Sequence, residues 1–314
     1  MKLDLQDMLD RYSQYGWTRK AICKIWEISP KSFYNPFPKL LLATGLKRIQ
    51  LNTITLNERK TVIDYALSHT ELNHREMAYR MIDEDIAFIS PSSVYRILKE
   101  TNLIGTRNKV VKDTKKWSPH DDVIAPDQKW QTDLTYFSFN GRDYYLLSYL
   151  DVYSRYIVFH KLCLSMTGET IRDITEEAFQ VIEIRPEIIQ SDNGSCYISH
   201  EYHSFVTGLN INHLFIHPHC PNENAEIERY HRTLKEAVDV DEAENFNHLE
   251  TIIKEQIYYY NYIRYHSKIG FIPPYEKYRG NPEKIFDERI KKIKRAKSER
   301  MKINYQKNND SGPK

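Results

Sequence analysis

The stretch from Trp130 to Val152 constrains the fold most. Trp130 to Phe139 alternates in the period-two manner of a half-buried strand, Asn140-Gly141 follows, and Tyr144 to Val152 reads as a return strand. Asn-Gly between two such runs is the strongest short signal for a two-residue hairpin, because both turn positions need φ above zero. A third strand follows at Tyr156 to Leu162. Thr167 then caps a helix through Ile171, Ile174, Ala178, Phe179 and Ile182, which Pro186 ends. A short strand, Glu187 to Gln190, stops at Ser191-Asp192. A helix near residues 199 to 208 and a strand from Ile211 to His217 complete the run. Three strands, helix, strand, helix, strand, loop and helix make an α/β plan with one mixed sheet.

The helix closing this plan begins at Asn224. At about 100° per residue, Ile227, Tyr230, Leu234, Ala237 and Val238 share one side. Asn224, Glu228, His231, Arg232 and Lys235 share the next. The apolar side seeks a core. The other aligns a carboxylate with an amide, an imidazole and two cations. Asp133 lies mid-strand in the first strand, and Asp192 ends the fourth. Between Asp192 and Glu228 stand 35 residues. Strand ends beside helix starts gather into a crevice. Three carboxylates meeting there cost several kcal/mol unless cations join them. Oxygen donors select Mg²⁺ or Mn²⁺, and two such ions about 4 Å apart serve phosphodiester attack. Glu223 precedes the helix and Glu226 falls on its opposite flank, so the helix geometry chooses Glu228. Glu236 is placed on the far side.

Helices surround this plan on both sides. Residues 3 to 34 read as short helices in a helix-turn-helix pattern or a plain bundle. Residues 56 to 104 form a second block, with Asn57, Asn73 and Ser90-Pro91 as starts. Ser92, Ser93, Arg96 and Lys99 face out there, towards phosphates if DNA is present. Residues 105 to 127 read as a linker. Leu249 to Ile263 is a tyrosine-rich helix, Tyr260 to Pro274 a loop, and Pro282 to Ile303 a basic helix.

The net charge is only +2, yet five Lys/Arg against one acid lie between Arg107 and Lys116, and nine against one between Arg289 and Lys307. Local basic blocks suit nucleic acid better than the sum suggests. Cys23, Cys163, Cys196 and Cys220 have no Cys-x-x-Cys spacing, which predicts four reduced thiols in a cytosolic protein. Neither a leader nor an 18-residue apolar run is seen, so no signal peptide and no membrane partner is expected.

The pieces Trp130-x-Thr-Asp133, Asp151-Val-Tyr-Ser-Arg155, Ser191-Asp192-Asn-Gly194-Ser195, Asn224 with Glu228 to Lys235, and Tyr260-Asn261-x-x-Arg264-x-His266-Ser267 occur in this order. Together they resemble the integrase-core (DDE) transposases of bacterial insertion sequences, relatives of retroviral integrases. The resemblance implies a ribonuclease-H-like mixed-sheet catalytic core preceded by an all-α helix-turn-helix DNA-binding region. It implies Asp133, Asp192 and Glu228 as catalytic and metal-holding residues, two Mg²⁺ or Mn²⁺ ions, and cutting and joining of transposon-end DNA. Lys235, Arg232, His231, Asn224, Arg96 and Lys99 are the expected DNA contacts. The expected partners are double-stranded DNA, as transposon ends and target, and further copies of the chain on that DNA. The expected location is the bacterial cytoplasm, on the nucleoid.

The expected divisions are residues 1–50, an N-terminal helix-turn-helix; 51–105, a second helical DNA-binding region; 106–126, a basic linker; 127–240, the catalytic core; 241–280, a helical extension; and 281–314, a basic tail. Retroviral integrases carry an N-terminal His/Cys zinc module. The first 60 residues here hold one cysteine and no histidine, so no zinc is carried over. His213, His217, His219 and Cys220 cluster in sequence but fit a polar strand-edge loop better than a metal site. Asp151 is expected to be structural, pairing with Arg155 or with backbone. The competing functions are a repressor that uses only the helical blocks, which an intact triad argues against, and a ribonuclease H, which would show four carboxylates in another order.

Overall fold

The computed structural model describes residues 49–104, 122–217 and 220–310. The predicted N-terminal helices, most of the linker with its basic cluster, and His219 lie outside them. The chain divides into two compact units, one of Met1–Thr53 with Arg300–Lys314 and one of Ile54–Glu299. In the first, the Asn304 amide donates to the carbonyls of Leu51 (2.9 Å) and Thr53 (2.7 Å).

The second unit opens with three helices, α1 (Leu56–Ser68), α2 (His74–Asp83) and α3 (Pro91–Glu100). Thr55, not Asn57, starts α1. Its hydroxyl accepts from Glu58 N, and the Glu58 carboxylate returns to Thr55 N, the reciprocal pattern of a Thr-x-x-Glu capping box. Asn73 caps α2 as expected, accepting from Arg75 N and Glu76 N. Val62, Ala78, Met81 and Val94 form the small core between these helices, each wholly buried.

The sheet follows: β1 (Lys129–Phe139), β2 (Arg142–Asp151) and β3 (Ile157–Cys163), then α4 (Gly168–Ile182), β4 (Ile188–Ser191), α5 (Ser195–Ile198), α6 (His200–Gly208) and β5 (Asn212–Phe215). Asn140 (φ 49°) and Gly141 (φ 72°) both adopt positive φ, as a primed hairpin turn requires. Strand order is β3-β2-β1-β4-β5; the first three are antiparallel, and β4 and β5 run parallel to β1. This order fits a ribonuclease-H-like core. The short helix α5 was not legible in the periodicity, since four residues show no period.

Helix α7 (Ala225–Ala237) and helix α8 (Phe246–Tyr262) cover one face of the sheet. Ile227, Tyr230 and Leu234 of α7 pack with Phe137, Leu146, Leu150, Leu249 and Ile253. Helices α4, α5 and α6 cover the other face, around Trp130, Tyr149, Ile189, Tyr197 and Tyr202. Each fully buried side chain of this kind contributes about 1.5–3 kcal/mol, so β1 is clamped from both sides. After α8 come α9 (Pro274–Tyr278), absent from the sequence expectation, and α10 (Pro282–Asp310), longer than expected. Buried Arg289 of α10 grips Asp83 of α2 through Nε (2.8 Å) and Nη2 (2.6 Å), and donates to the Gly270 and Phe271 carbonyls. Tyr265 also donates to Asp83 (2.7 Å), which ties the three-helix block to the segment after α8.

Candidate active site

The site lies where β1, the end of β4 and α7 meet. Alternation on β1 turns Gln131, Asp133 and Thr135 towards α7, and Trp130 and Thr132 towards α5. Two buried glutamines then fix the start of α7. Gln131 Oε1 accepts from Ile227 N (3.1 Å), and the amides of Gln131 (2.7 Å) and Gln190 (2.5 Å) both donate to the Glu223 carbonyl. An N-terminal N–H of α7 is thus capped from across the sheet, where Asn224 makes no side-chain cap. These glutamines set the height of Glu228 above Asp133. The sequence reading missed them, although Gln131 shares the face of Asp133 two residues on.

Asp133 Oδ1 accepts from Leu134 N (2.8 Å), and Oδ2 from His231 Nδ1 (3.2 Å). A carboxylate only accepts, so Nδ1 is the donor and Nε2 is the ring's other nitrogen. That Nε2 is buried without a hydrogen-bond partner. Asp192 follows the last residue of β4, and its Oδ1 accepts from Gly194 N (2.9 Å). Glu228 is exposed and makes no hydrogen bond or ion pair among the described residues. Burial raises the Asp192 carboxyl, with Asp133 adding to it against the Gly194 hydrogen bond. Burial likewise raises Glu228, and Asp133 and Asp192 push it further, opposed by His231 and Arg232. Asp192 and Glu228 therefore feel the charge of Asp133, and Glu228 that of Asp192 as well. Among the described residues no three His, Cys, Asp or Glu side chains form a closed metal-ligating cluster. The donor set is all oxygen and repels itself, the chemistry a hard divalent cation suits. The acids interact through their charge, and among the described residues they do not gather closely enough to ligate one ion.

An open groove of about 430 Å³ runs along α7, lined by Asp133, Thr135, Glu228, His231, Arg232, Lys235 and Glu236. Arg232 and Lys235 are exposed, and Lys235 Nζ stands 4.1 Å from the centre of the Tyr136 ring. His231, placed beside them by the helical wheel, is buried and serves Asp133. Asn224 is 1% exposed, with Oδ1 unpartnered, so its side chain faces the interior. Glu236, expected on the far side of the helix, lines the groove. Arg96 and Lys99 are exposed on α3, away from the groove lining.

The remaining acids sort themselves by partner. Glu226 pairs with Arg155 (3.2 Å) and Glu223 with His217 (2.9 Å). Asp151 is wholly buried and takes Asp127 N (2.8 Å), Ser154 N (2.8 Å) and Ser154 Oγ, so its partners are backbone and a hydroxyl, and Arg155 goes to Glu226 instead. His213 faces inward, its Nε2 3.0 Å from Ser191 Oγ and its Nδ1 3.0 Å from His203 Nδ1. Described cysteines 163, 196 and 220 are free thiols.

Comparison with known proteins gives these features a family. Residues 124–221 match the integrase core domain, and residues 209–274 match a second integrase core domain model. The InsK protein of insertion sequence element IS150 from Escherichia coli (strain K12) is 28% identical over 156 residues, 49% of this chain and 55% of that protein. The transposase for insertion sequence element IS904 from Lactococcus lactis subsp. lactis (strain IL1403) is 31% identical over 166 residues, 50% of this chain and 64% of that one. This chain thus spans between about half and two thirds of the length of those relatives. Among solved structures, the HTLV-2 integrase catalytic core domain in complex with magnesium is 19% identical, with a TM-score of 0.42 over 50% of this chain and 99% of that one. No described helix is long and apolar enough to cross a membrane. Across residues 124–274 the chain matches the integrase core domain, and over about half its length it is similar to transposases of bacterial insertion sequences.

Proposed function

We propose that the chain is a DNA transposase that binds transposon ends and catalyses metal-dependent phosphodiester hydrolysis and strand transfer. One observation carries this reading: Asp192 and Glu228 hold their protons more tightly than ordinary carboxyls, through burial and the charge of Asp133, beside a groove whose rim supplies Arg232 and Lys235. Asp133, Asp192 and Glu228 would hold Mg²⁺ or Mn²⁺. When bound, such ions activate an attacking oxygen and stabilise the leaving one. The chain's own groups do the rest. His231 orients Asp133 through Nδ1–H. The Gly194 N–H orients Asp192. Gln131 and Gln190 hold the start of α7, and with it Glu228, against the sheet. Arg232 and Lys235 neutralise the phosphate track leading to the acids. Water attacks the phosphodiester at the transposon end and leaves a 3′-hydroxyl; that hydroxyl attacks a second phosphodiester. The exposed face of α3, with Arg96 and Lys99, suits contact with the end's backbone, and further copies of the chain assembling on that DNA complete the working form.

The test incubates the full chain with a duplex carrying the element's terminal inverted repeat and with Mg²⁺ or Mn²⁺. The expected result is a nick at the repeat and joining of that end to a second DNA, both abolished by chelation. Specific binding without cleavage under any divalent metal would favour a repressor instead.

A further inference from the structure

The groove uses one flank of α7. The other flank carries Glu226 and Arg229, one turn apart and so neighbours on the helix surface. Arg155 faces it, with Nη1 3.2 Å from Glu226. Beside Arg155 runs the segment that follows α8, pinned at two points. The buried Asn261 amide exchanges two hydrogen bonds with the backbone of Ile157, at 2.9 and 3.0 Å. The Tyr260 ring meets Tyr230 of α7 edge-on, centroids 5.0 Å apart. This places Arg264 and Lys268 beside Arg155 and Arg229, around the ring of His266.

His266 reports the concentration of charge there. Its Nδ1 accepts from Lys268 N (3.3 Å), which fixes a neutral ring. Burial pushes its pKa down to about 4, assisted by Arg155, Arg264, Arg229 and Lys268. Only Arg155 of these four forms an ion pair among the described residues, with Glu226. Arg229 and Lys268 are exposed and Arg264 is half-buried. Gathering cations this way is unfavourable unless an anion comes to them. Next to Arg155, Tyr156 begins a run of rings that reaches Tyr262 and Tyr275, which are tilted against each other with centroids 4.8 Å apart and are 38% and 37% exposed. Cations interleaved with exposed rings suit nucleic acid.

We propose that this second flank of α7 binds the phosphate backbone of target DNA, the duplex into which a cut end is joined. The inference rests on the transposase reading. The groups on offer are point charges, guanidiniums and rings. The nearby amide that could read a base, that of Asn261, is consumed by Ile157. Binding of this kind positions a duplex without reading its sequence, which suits a partner that differs from one insertion to the next. A helix with its side chains is roughly 10–12 Å across, so an end lying in the groove leaves the opposite flank free.

The test uses the full chain and the triple variant Arg229→Gln, Arg264→Gln, Lys268→Gln. It measures binding of a random-sequence duplex against salt, cleavage at the repeat, and joining of a pre-cut end to plasmid. Loss of about three phosphate contacts should make the slope of log affinity on log salt shallower by about 2–3. Joining should fall about tenfold at limiting plasmid and recover as plasmid is raised, while cleavage stays within about twofold. The double variant Arg229→Lys, Arg264→Lys, with native Lys268, keeps the charges and should restore joining. Unchanged salt slope and unchanged joining overturn the inference. So does a lysine variant as defective as the glutamine one, which would make these residues packing groups. A shift in self-association with DNA affinity intact also overturns it, and assigns the flank to a second copy of the chain. A wild-type chain that binds random duplex but neither cleaves nor joins sinks the transposase reading, while the salt slopes still judge the flank.

Discussion

Two groups of carboxylates lie on the same sheet and live by opposite rules. At the corner where β2 ends, Asp151 and Asp127 are saturated. Asp151 takes three donors, and Asp127 takes Trp130 Nε1 (3.0 Å), Tyr278 OH (2.7 Å) and the Arg279 guanidinium. On β1, at the end of β4 and on α7, Asp133, Asp192 and Glu228 have few donors, and the charge of Asp133 acts on the other two. A saturated carboxylate closes a structure, and its attraction is spent within the fold. An under-coordinated trio holds acceptor capacity in reserve for something that is not protein. In the sequence Asp151 and Asp192 look alike, each an acid at the end of a strand. Their partners separate them.

The largest expected effects test that separation directly. Asp133→Asn, Asp192→Asn and Glu228→Gln should each lower end cleavage by roughly a thousandfold or more, the scale on which a charge-stabilising group acts. None should lower the melting temperature in metal-free buffer, because each relieves repulsion. Asp151→Asn should do the reverse. Its amide would turn an N–H₂ towards either the Asp127 donor or the Ser154 donors, costing about 2–3 kcal/mol. Melting should fall by several degrees, with cleavage per folded molecule retained. Thermal melts beside cleavage rates decide it. Triad variants that melt as low as Asp151→Asn, or an Asp151→Asn protein that is stable but inactive, would break the comparison.

The elements were legible wherever a pattern ran long enough. Strand β1, its Asn140-Gly141 turn, β2 and the helix capped by Thr167 follow from period and turn chemistry. The choice of Glu228 over Glu223 and Glu226 needed only the helical wheel, and the structure gives the other two acids partners of their own. What escaped were contacts across the fold. Asn57 looked like a cap because Asn caps well, but Thr55 wins because Glu58 lies three residues on and answers it. Gln131 and Gln190 look like ordinary polar residues until β1 and β4 are set side by side. His231 stood on the polar side of a wheel that has no way to show Asp133 approaching it. Glu236 was misplaced because the wheel was read as two halves. The groove is wide enough to include the Arg232–Glu236 ridge, four residues apart and only about 40° around the axis.

A smaller effect follows from the histidines on the sheet's other side. Burial holds His213 down at about 4, with His203 assisting. Its folded pKa lies below the unfolded value, so folding keeps it neutral. The stability it contributes is whole above about pH 6.5 and drains away as pH falls towards 4, because the unfolded chain takes the proton first. The loss should reach about 2 kcal/mol near pH 4.5. His213→Gln keeps a polar group near Ser191 but has no such proton to gain. Its melting temperature should therefore fall less between pH 7 and 4.5 than that of the wild type. Parallel curves for the two proteins would show that His213 is not the group responsible, and that acid acts through other histidines such as His160, also held at about 4.

The smallest expected effects lie on the rim of the groove, where Lys235 and Glu236 stand side by side with opposite charge. Lys235 is about two turns from Glu228 and displaced by only about 20° around the axis. Its ammonium is seated on Tyr136, which holds it over the groove instead of leaving it to sweep through solvent. Lys235→Ala should weaken engagement of a pre-formed transposon end by up to about tenfold and leave melting unchanged, since an exposed lysine contributes under ~0.5 kcal/mol to the fold. Lys235→Arg should retain part of the activity, because charge matters there more than shape. Tyr136→Leu removes the seat but not the charge, and should fall between wild type and Lys235→Ala. Glu236 changes the design of this test. As a residue of the groove it opposes a phosphate, so Glu236→Ala should tighten binding of the same end by about twofold to threefold, most visibly at low salt. Equal and undiminished processing of pre-formed ends by both alanine variants would mean that the DNA track ends at Arg232. Opposite shifts would place both side chains on it, with Lys235 holding the strand and Glu236 limiting how tightly it is held.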